Sequence, residues 1–263
     1  SPARKQPATY RRYRRTIDKP SSCPWARTRL PRYRRSRNLL RFVLQEVVPP
    51  QPEPAAPVRI RMPAVPDIRI SQNDHTWAVA AAELVQAVGQ EAIRAKGQFL
   101  IALSGGKTPE VLYRALTSPS FAGRFDWSRT AFFFSDERCV LPDDPRSNYA
   151  LAYNTLFTPL HIAPSQVYRM AGESPDPRAA AFEYEQQLRC VTKTTAPTQP
   201  RLDLILLGLG EDGHTASLFP GTLPVQDRQC AIAVTQSPKD PPTRLTMTLG
   251  VINRASVVLF LVA

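Results

Sequence analysis

The sequence predicts an α/β domain with a doubly wound, mostly parallel sheet and helices on both faces, preceded by a basic tail without fixed structure. Three observations carry that expectation. Short apolar runs, each ending in glycines or a polar turn, alternate with helical segments along residues 67–263, the pattern of strand–turn–helix units in a parallel sheet. Hydrophobic residues make up 43% of the 263-residue chain, enough for one substantial core. The formal net charge of +12 is concentrated: residues 1–41 hold 14 of the 34 Lys and Arg against a single acid, Asp18, which leaves the remainder near neutral.

Residues 1–57 form an Arg- and Pro-rich tail and linker. The segment 1–41 shows neither helical nor strand periodicity, and it has too little to bury to offset the entropy of ordering. Nucleic-acid binding through interleaved Arg and Tyr is one reading, and an organelle transit peptide is another. A third is a non-native start, with Met62 as the original one, because the chain opens at Ser1. An inert tail or a mis-assigned start is the blander expectation. The spacer PPQPEPAAP at 49–57 reads as extended and semi-rigid.

The folded domain is expected over 62–263. Residues 67–70 alternate like a short strand. Asn73 or Asp74 then caps a helix with Trp77, Val79, Ala81, Leu84, Val85 and Val88 on one face, ending near Gly97. Residues 99–103 form an apolar strand that stops at a glycine pair, and Thr108-Pro109 opens the next helix. A strand at 130–134, a polar loop and a helix at 147–157 follow, then a short strand near 166–168 and a helix at 176–190. Residues 202–207 are another buried strand, and 230–235, 244–249 and 257–262 read as further strands.

Four cysteines with no CxxC pair and no metal-ligand spacing point to reduced thiols in an intracellular, cytoplasmic protein. No stretch has the length of a membrane helix and no secretory signal opens the chain, so no membrane partner is expected.

Three polar segments follow strands and are therefore expected at one crevice. In the first, Ser104-Gly105-Gly106-Lys107-Thr108, glycines allow close backbone approach to an anion at a helix N-terminus. The GxxxxGK[ST] spacing is absent, so this is no Walker loop. An ordinary strand-to-helix turn explains the glycines equally well. The second, Ser135-Asp136-Glu137-Arg138 with Ser147-Asn148, should emerge from the sheet because ionised groups are costly in a core. Arg138 is its candidate cation for an oxyanion; a solvated loop of internal ion pairs is the bland alternative. The third, Gly208-Leu209-Gly210-Glu211-Asp212-Gly213-His214, contains GxGxxG. Two acids where a pyrophosphate would sit, and Phe219-Pro220-Gly221 cutting the helix short, argue against a dinucleotide site. Asp212 beside His214 suits a general base instead. His75 and His161 read as surface residues, and three scattered histidines suggest no metal site.

Together LSGGKTP, SDERCVLPDDPRSNY and GLGEDGHTASLFPG resemble the 6-phosphogluconolactonase family, within the glucosamine/galactosamine-6-phosphate isomerase-like group, over about 68–263. Arg138, Ser147-Asn148 and the 215–219 run favour lactonases over the deaminases of that group. The resemblance implies hydrolysis of 6-phospho-D-glucono-1,5-lactone without metal or organic cofactor. It implies His214, Asp212 and Arg138 as catalytic residues. Ser104, Gly105, Gly106, Lys107, Thr108, Asp136, Glu137, Ser147, Asn148, Gly210 and Gly213 would contact substrate. The partner is then a small sugar-phosphate lactone, with nucleic acid only through the tail and a monomer as the expected unit. Family members continue past the strand at 257–262 into a glycine turn, a substrate-reaching lysine and a final helix, whereas this sequence stops at Ala263. The expected domain is accordingly C-terminally truncated. A deaminase-like enzyme and an inactive remnant with a nucleic-acid-binding tail are the competing expectations.

Overall fold

The computed structural model describes residues 66–262. The tail, the spacer and Met62 lie outside the described residues.

The chain enters through helix α1 (Asp74–Lys96), whose N-terminus is capped by Asn73 Oδ1 accepting the Thr76 N–H at 2.9 Å. Gly97, at φ 80°, closes it with a left-handed cap. Strand β1 (Phe99–Leu103), helix α2 (Lys107–Leu116) and strand β2 (Thr130–Phe134) follow. Next come strand β3 (Asp136–Arg138), helix α3 (Asn148–Ala152), which runs on into a π-turn at Tyr153–Phe157, and helix α4 (Pro177–Thr192). Asp176 caps α4 and Pro177 occupies its first turn, a pairing that suits a helix start. Strand β4 (Leu204–Gly208), helix α5 (Leu223–Gln226), strands β5 (Ile232–Gln236) and β6 (Thr243–Met247), helix α6 (Leu249–Ile252) and strand β7 (Val257–Leu261) complete the domain.

Four strands form a parallel sheet in the order β2-β1-β4-β7. Both faces are covered at β2, β1 and β4, which is why those strands read as unbroken apolar runs rather than alternating ones, while the edge strand β7 is only half-buried and leaves Phe260 exposed. Phe99, Ile101, Leu103, Phe132, Phe134, Leu204 and Leu206 face one core with Val85, Leu112, Leu116 and Leu156 from the helices α1 and α2 and the α3 region. Leu100, Ala102, Ala131, Phe133, Ile205 and Leu207 face the other, with Tyr184 and Leu188 of α4, Leu245 and Met247 of β6, and Val251 of α6. The expected doubly wound α/β arrangement is therefore the observed one.

The differences are local. Residues 67–70 form no strand, and Ile68 and Ile70 stay exposed, because the alternating run finds no edge to pair with. The expected strand near 166–168 reduces to one bridge between Phe132 and Val167 after a 3₁₀ turn at Pro164–Gln166. The last strands do not all join the parallel sheet: β3, β6 and β5 make a second, antiparallel sheet. The charged run after β2 does not emerge into solvent either, since Asp136 and Glu137 are 5% and 2% exposed. Backbone N–H groups and the Ser147 hydroxyl satisfy Glu137, and the Ser217 hydroxyl and the Asn148 side-chain amide satisfy Asp136, which lowers the cost that made burial look improbable.

Candidate active site

A crevice of about 310 Å³ opens at the carboxyl ends of the parallel strands, where it meets the small sheet. Three strand-to-loop transitions and β6 build its walls.

The first wall is the turn from β1 into α2. Gly106 stands at the helix N-cap with φ 107°, a left-handed conformation that side chains avoid, and no side chain caps the helix. The first N–H groups of α2 thus face the crevice without a cap, beside Lys107 and Thr108. Two fixtures hold the turn. The buried Tyr113 hydroxyl accepts from the Ser104 N–H at 3.1 Å and donates to the Ser104 carbonyl at 2.6 Å. Asn148 Oδ1 packs so closely on Gly105 that a Cβ there would lie 1.7 Å from it.

The second wall is β3. Glu137 turns away from the crevice and accepts four hydrogen bonds. These come from the N–H groups of Arg138, Asn148 and Tyr149 and from the Ser147 hydroxyl, all between 2.7 and 3.0 Å. Burial nonetheless pushes its carboxyl up, against the pull of those donors. Ser147 in turn caps α3 by accepting from the Ala150 N–H. Glu137 and Ser147 therefore assemble the wall from behind, whereas Asp136, Arg138 and Asn148 line the crevice.

Arg138 lies directly opposite Arg244 in the antiparallel register. Like charges facing each other across a ladder repel, and they mark a place suited to an anion. The Arg138 guanidinium donates to the Arg146 carbonyl, and that of Arg244 to the Pro241 carbonyl at 2.8 Å. Burial first, and the neighbouring Arg138 second, lower the Arg244 pKa. Lys239 and Ser237 reach the same space. Sequence reasoning missed these three residues. An arginine at the head of the strand-like run beginning at Arg244 was the one available signal, and the register that brings it opposite Arg138 is not visible in sequence.

The third wall follows β4. Gly210 accepts the Gly213 N–H at 2.9 Å and donates to the His214 carbonyl at 2.8 Å, closing a tight turn with Gly213 at φ 81°. The Thr215 hydroxyl ties the turn to the Gly208 carbonyl at 2.8 Å. Asp212 Oδ1 meets His214 Nδ1 directly, and this hydrogen bond holds the Asp212 carboxyl below its ordinary range. Phe219 supports the imidazole with a ring-centroid distance of 4.8 Å. His214 and Gly210 line the crevice, whereas Asp212 and Gly213 do not and are exposed to solvent. A Cβ on Gly210 would stand 2.2 Å from the His214 ring, so the imidazole position depends on glycine there.

The fold thus brings all three sequence segments to one crevice. His75 and His161 are exposed, and neither lines it. Among the described residues no group of three or more His, Cys, Asp or Glu is placed to hold a metal. No helix among them is long and apolar enough to cross a membrane.

Comparison with known proteins places this architecture. Residues 72–263 match the family described as glucosamine-6-phosphate isomerases/6-phosphogluconolactonase. A 6-phosphogluconolactonase of Synechocystis sp. is 43% identical over 175 residues, covering 66% of this chain and 70% of that one. One of Mycobacterium leprae is 37% identical over 201 residues, covering 74% and 80%. The solved structure of 6-phosphogluconolactonase from Trypanosoma cruzi superposes with a TM-score of 0.67 at 28% identity, covering 75% of this chain and 80% of the other. The chain belongs to the family of glucosamine-6-phosphate isomerases and 6-phosphogluconolactonases.

Proposed function

We propose that the protein hydrolyses 6-phospho-D-glucono-1,5-lactone to 6-phosphogluconate, and that His214 is the general base. The observation that carries this reading is the Asp212–His214 pair facing a crevice whose other walls are cationic. With Nδ1 engaged by a carboxylate, the imidazole keeps its proton there and presents Nε2 as a lone pair. That suits removal of a proton from water.

The 6-phosphate sits at the N-terminus of α2, among the Gly105, Gly106 and Thr108 backbone N–H groups and Lys107. Arg244 and Lys239 add charge from the opposite wall. This orients C1 of the lactone toward His214. The water oxygen bonds to C1 as His214 takes its proton, and Arg138 stabilises the oxygen that becomes negative. When the C1–ring-oxygen bond breaks, the imidazolium returns its proton to the departing ring oxygen. The product is a carboxylic acid and a free alcohol, the imidazole is again neutral, and the acid then releases its proton to solvent to become the carboxylate. A lactone is an activated ester, so positioning with one base and one cation is sufficient chemistry. Cytoplasmic location belongs to the same reading, supported by the cysteine usage of the sequence, and action as a monomer is part of the proposal.

The discriminating experiment offers the protein freshly generated 6-phosphogluconolactone and, separately, glucosamine 6-phosphate. Acid formation above the spontaneous rate, with no ammonia released from the amino sugar, supports the lactonase. Ammonia release without lactone hydrolysis overturns it.

A further inference from the structure

We propose that Ser217 and Asp136 form a strut that fixes the His214 loop against the small sheet, so that both are positioning residues for proton abstraction. The inference rests on the reading of His214 as the base and adds what sets its place. Ser217 lies three residues after His214 and is completely buried. Its hydroxyl donates to Asp136 Oδ2 at 2.7 Å, and its N–H donates to Thr246 Oγ1 at 3.2 Å. Asp136 is on β3 and Thr246 directly opposite it on β6, so one serine clamps the loop to both strands.

The other oxygen of Asp136 faces the start of helix α3. Oδ1 accepts from Asn148 Nδ2 at 3.1 Å, and Asn148 is the residue packed on Gly105 of the phosphate-side turn. One carboxylate therefore joins the wall that carries His214 to the wall that carries the glycine turn. Among the described residues no salt bridge engages Asp136, although it lines an otherwise cationic crevice. Its hydrogen-bonding capacity is turned toward neighbouring loops.

A separate observation supports the strut. Ala216, between His214 and Ser217, has φ 48°, a left-handed conformation unfavourable for a residue with a Cβ. Such strain persists where the surroundings over-determine the backbone. Here Thr215 is held by the Gly208 carbonyl on one side and Ser217 by β3 and β6 on the other. Without the Ser217 hydroxyl, Ala216 relaxes and the imidazole moves with it. Displacement of a catalytic group by about 1 Å costs on the order of 100-fold in rate.

The test is Ser217→Ala, which keeps the side chain small and removes only the hydroxyl. The expected result is a kcat lower by roughly 10- to 100-fold with KM within about twofold, because substrate contacts are untouched. Amide hydrogen exchange should quicken across 210–218 and stay unchanged at 104–108. A kcat within twofold of wild type, or a raised KM at unchanged kcat, overturns the strut. If wild type itself hydrolyses no lactone, the functional reading fails. The strut is then judged by exchange alone, and unchanged exchange at 210–218 overturns it. Should Ser217→Ala not fold, Ser217→Cys, with a weakly donating thiol of similar size, is read by the same criteria.

Discussion

Tyr113→Phe removes a single oxygen atom and tests whether the glycine turn is held by the helix that follows it. The ring is completely buried and remains so in the variant. Burial raises the phenol ionisation far above its ordinary value, so the hydroxyl is a neutral donor and acceptor at any working pH. Its two hydrogen bonds go to the N–H and carbonyl of Ser104, where β1 ends and the ladder stops supplying partners. Phenylalanine leaves that N–H buried and unsatisfied, a loss of about 1–3 kcal/mol. For a domain of this size each kcal/mol lowers Tm by about 2–4 °C, so the expected drop is roughly 2–12 °C. Urea titration should show a lower midpoint at unchanged slope, since the amount of surface buried is the same. KM should rise as well, because Ser104 leads directly into the phosphate-side turn. A stability change below about 0.5 kcal/mol, smaller than one ordinary hydrogen bond contributes, would refute the claim that Tyr113 sets this turn.

The remaining predictions concern the walls one at a time. His214→Ala should lower kcat by about 10²–10⁴-fold with little change in KM or Tm, measured by steady-state kinetics and thermal melting. Gly105→Ala forces a Cβ into the Asn148 side chain, so it should raise KM severalfold and lower Tm. Wild-type behaviour of this variant would mean that the Asn148 contact yields freely. Arg244→Ala should abolish thermal stabilisation by inorganic phosphate and raise KM at least tenfold, the loss of about one charge-assisted contact. In the loop between β3 and α3, hydrogen bonds from Arg146 hold the Asp144 carboxyl down at about 2. The folded value lies below the unfolded value of about 3.9, so the stabilisation is complete above that pH and is lost as pH falls through 2. Asp144→Asn should therefore be less stable than wild type at pH 6, with the difference shrinking as pH falls through 2 and vanishing below it, as read from denaturant midpoints.

Much of this molecule was legible because its strands announce themselves. The runs Phe99–Leu103, Ala131–Phe134 and Leu204–Leu207 are apolar throughout, and only a sheet covered on both faces buries every residue of such a run. Helices α1 and α4 could be placed from Asn73 and Asp176, which do cap them. The glycine turns and the Asp212–His214 pair were visible because glycine and histidine have few ordinary reasons to cluster after a strand. Sequence reasoning failed where long-range pairing decides the outcome. Nothing local in Ser135-Asp136-Glu137-Arg138 shows that it pairs with β6 rather than forming a loop. Burial of Glu137 depends on α3 presenting N–H groups to it, a relation across 11 or 12 residues. Arg244 and Lys239 join the crevice only through the second sheet, which no periodicity specifies. Residues 67–70 show the opposite error, a strand-like pattern that lacks a partner.

The central claim is that one imidazole, oriented by Asp212, drives opening of a sugar-phosphate lactone in this crevice. Its most direct measurement is the rate of disappearance of freshly generated 6-phospho-D-glucono-1,5-lactone with wild type and with His214→Ala, after subtraction of spontaneous opening. Rapid hydrolysis by wild type, with the variant at least 100-fold slower and equally folded, is the predicted result. Equal rates for the two proteins, or no hydrolysis by a folded wild type, would contradict it.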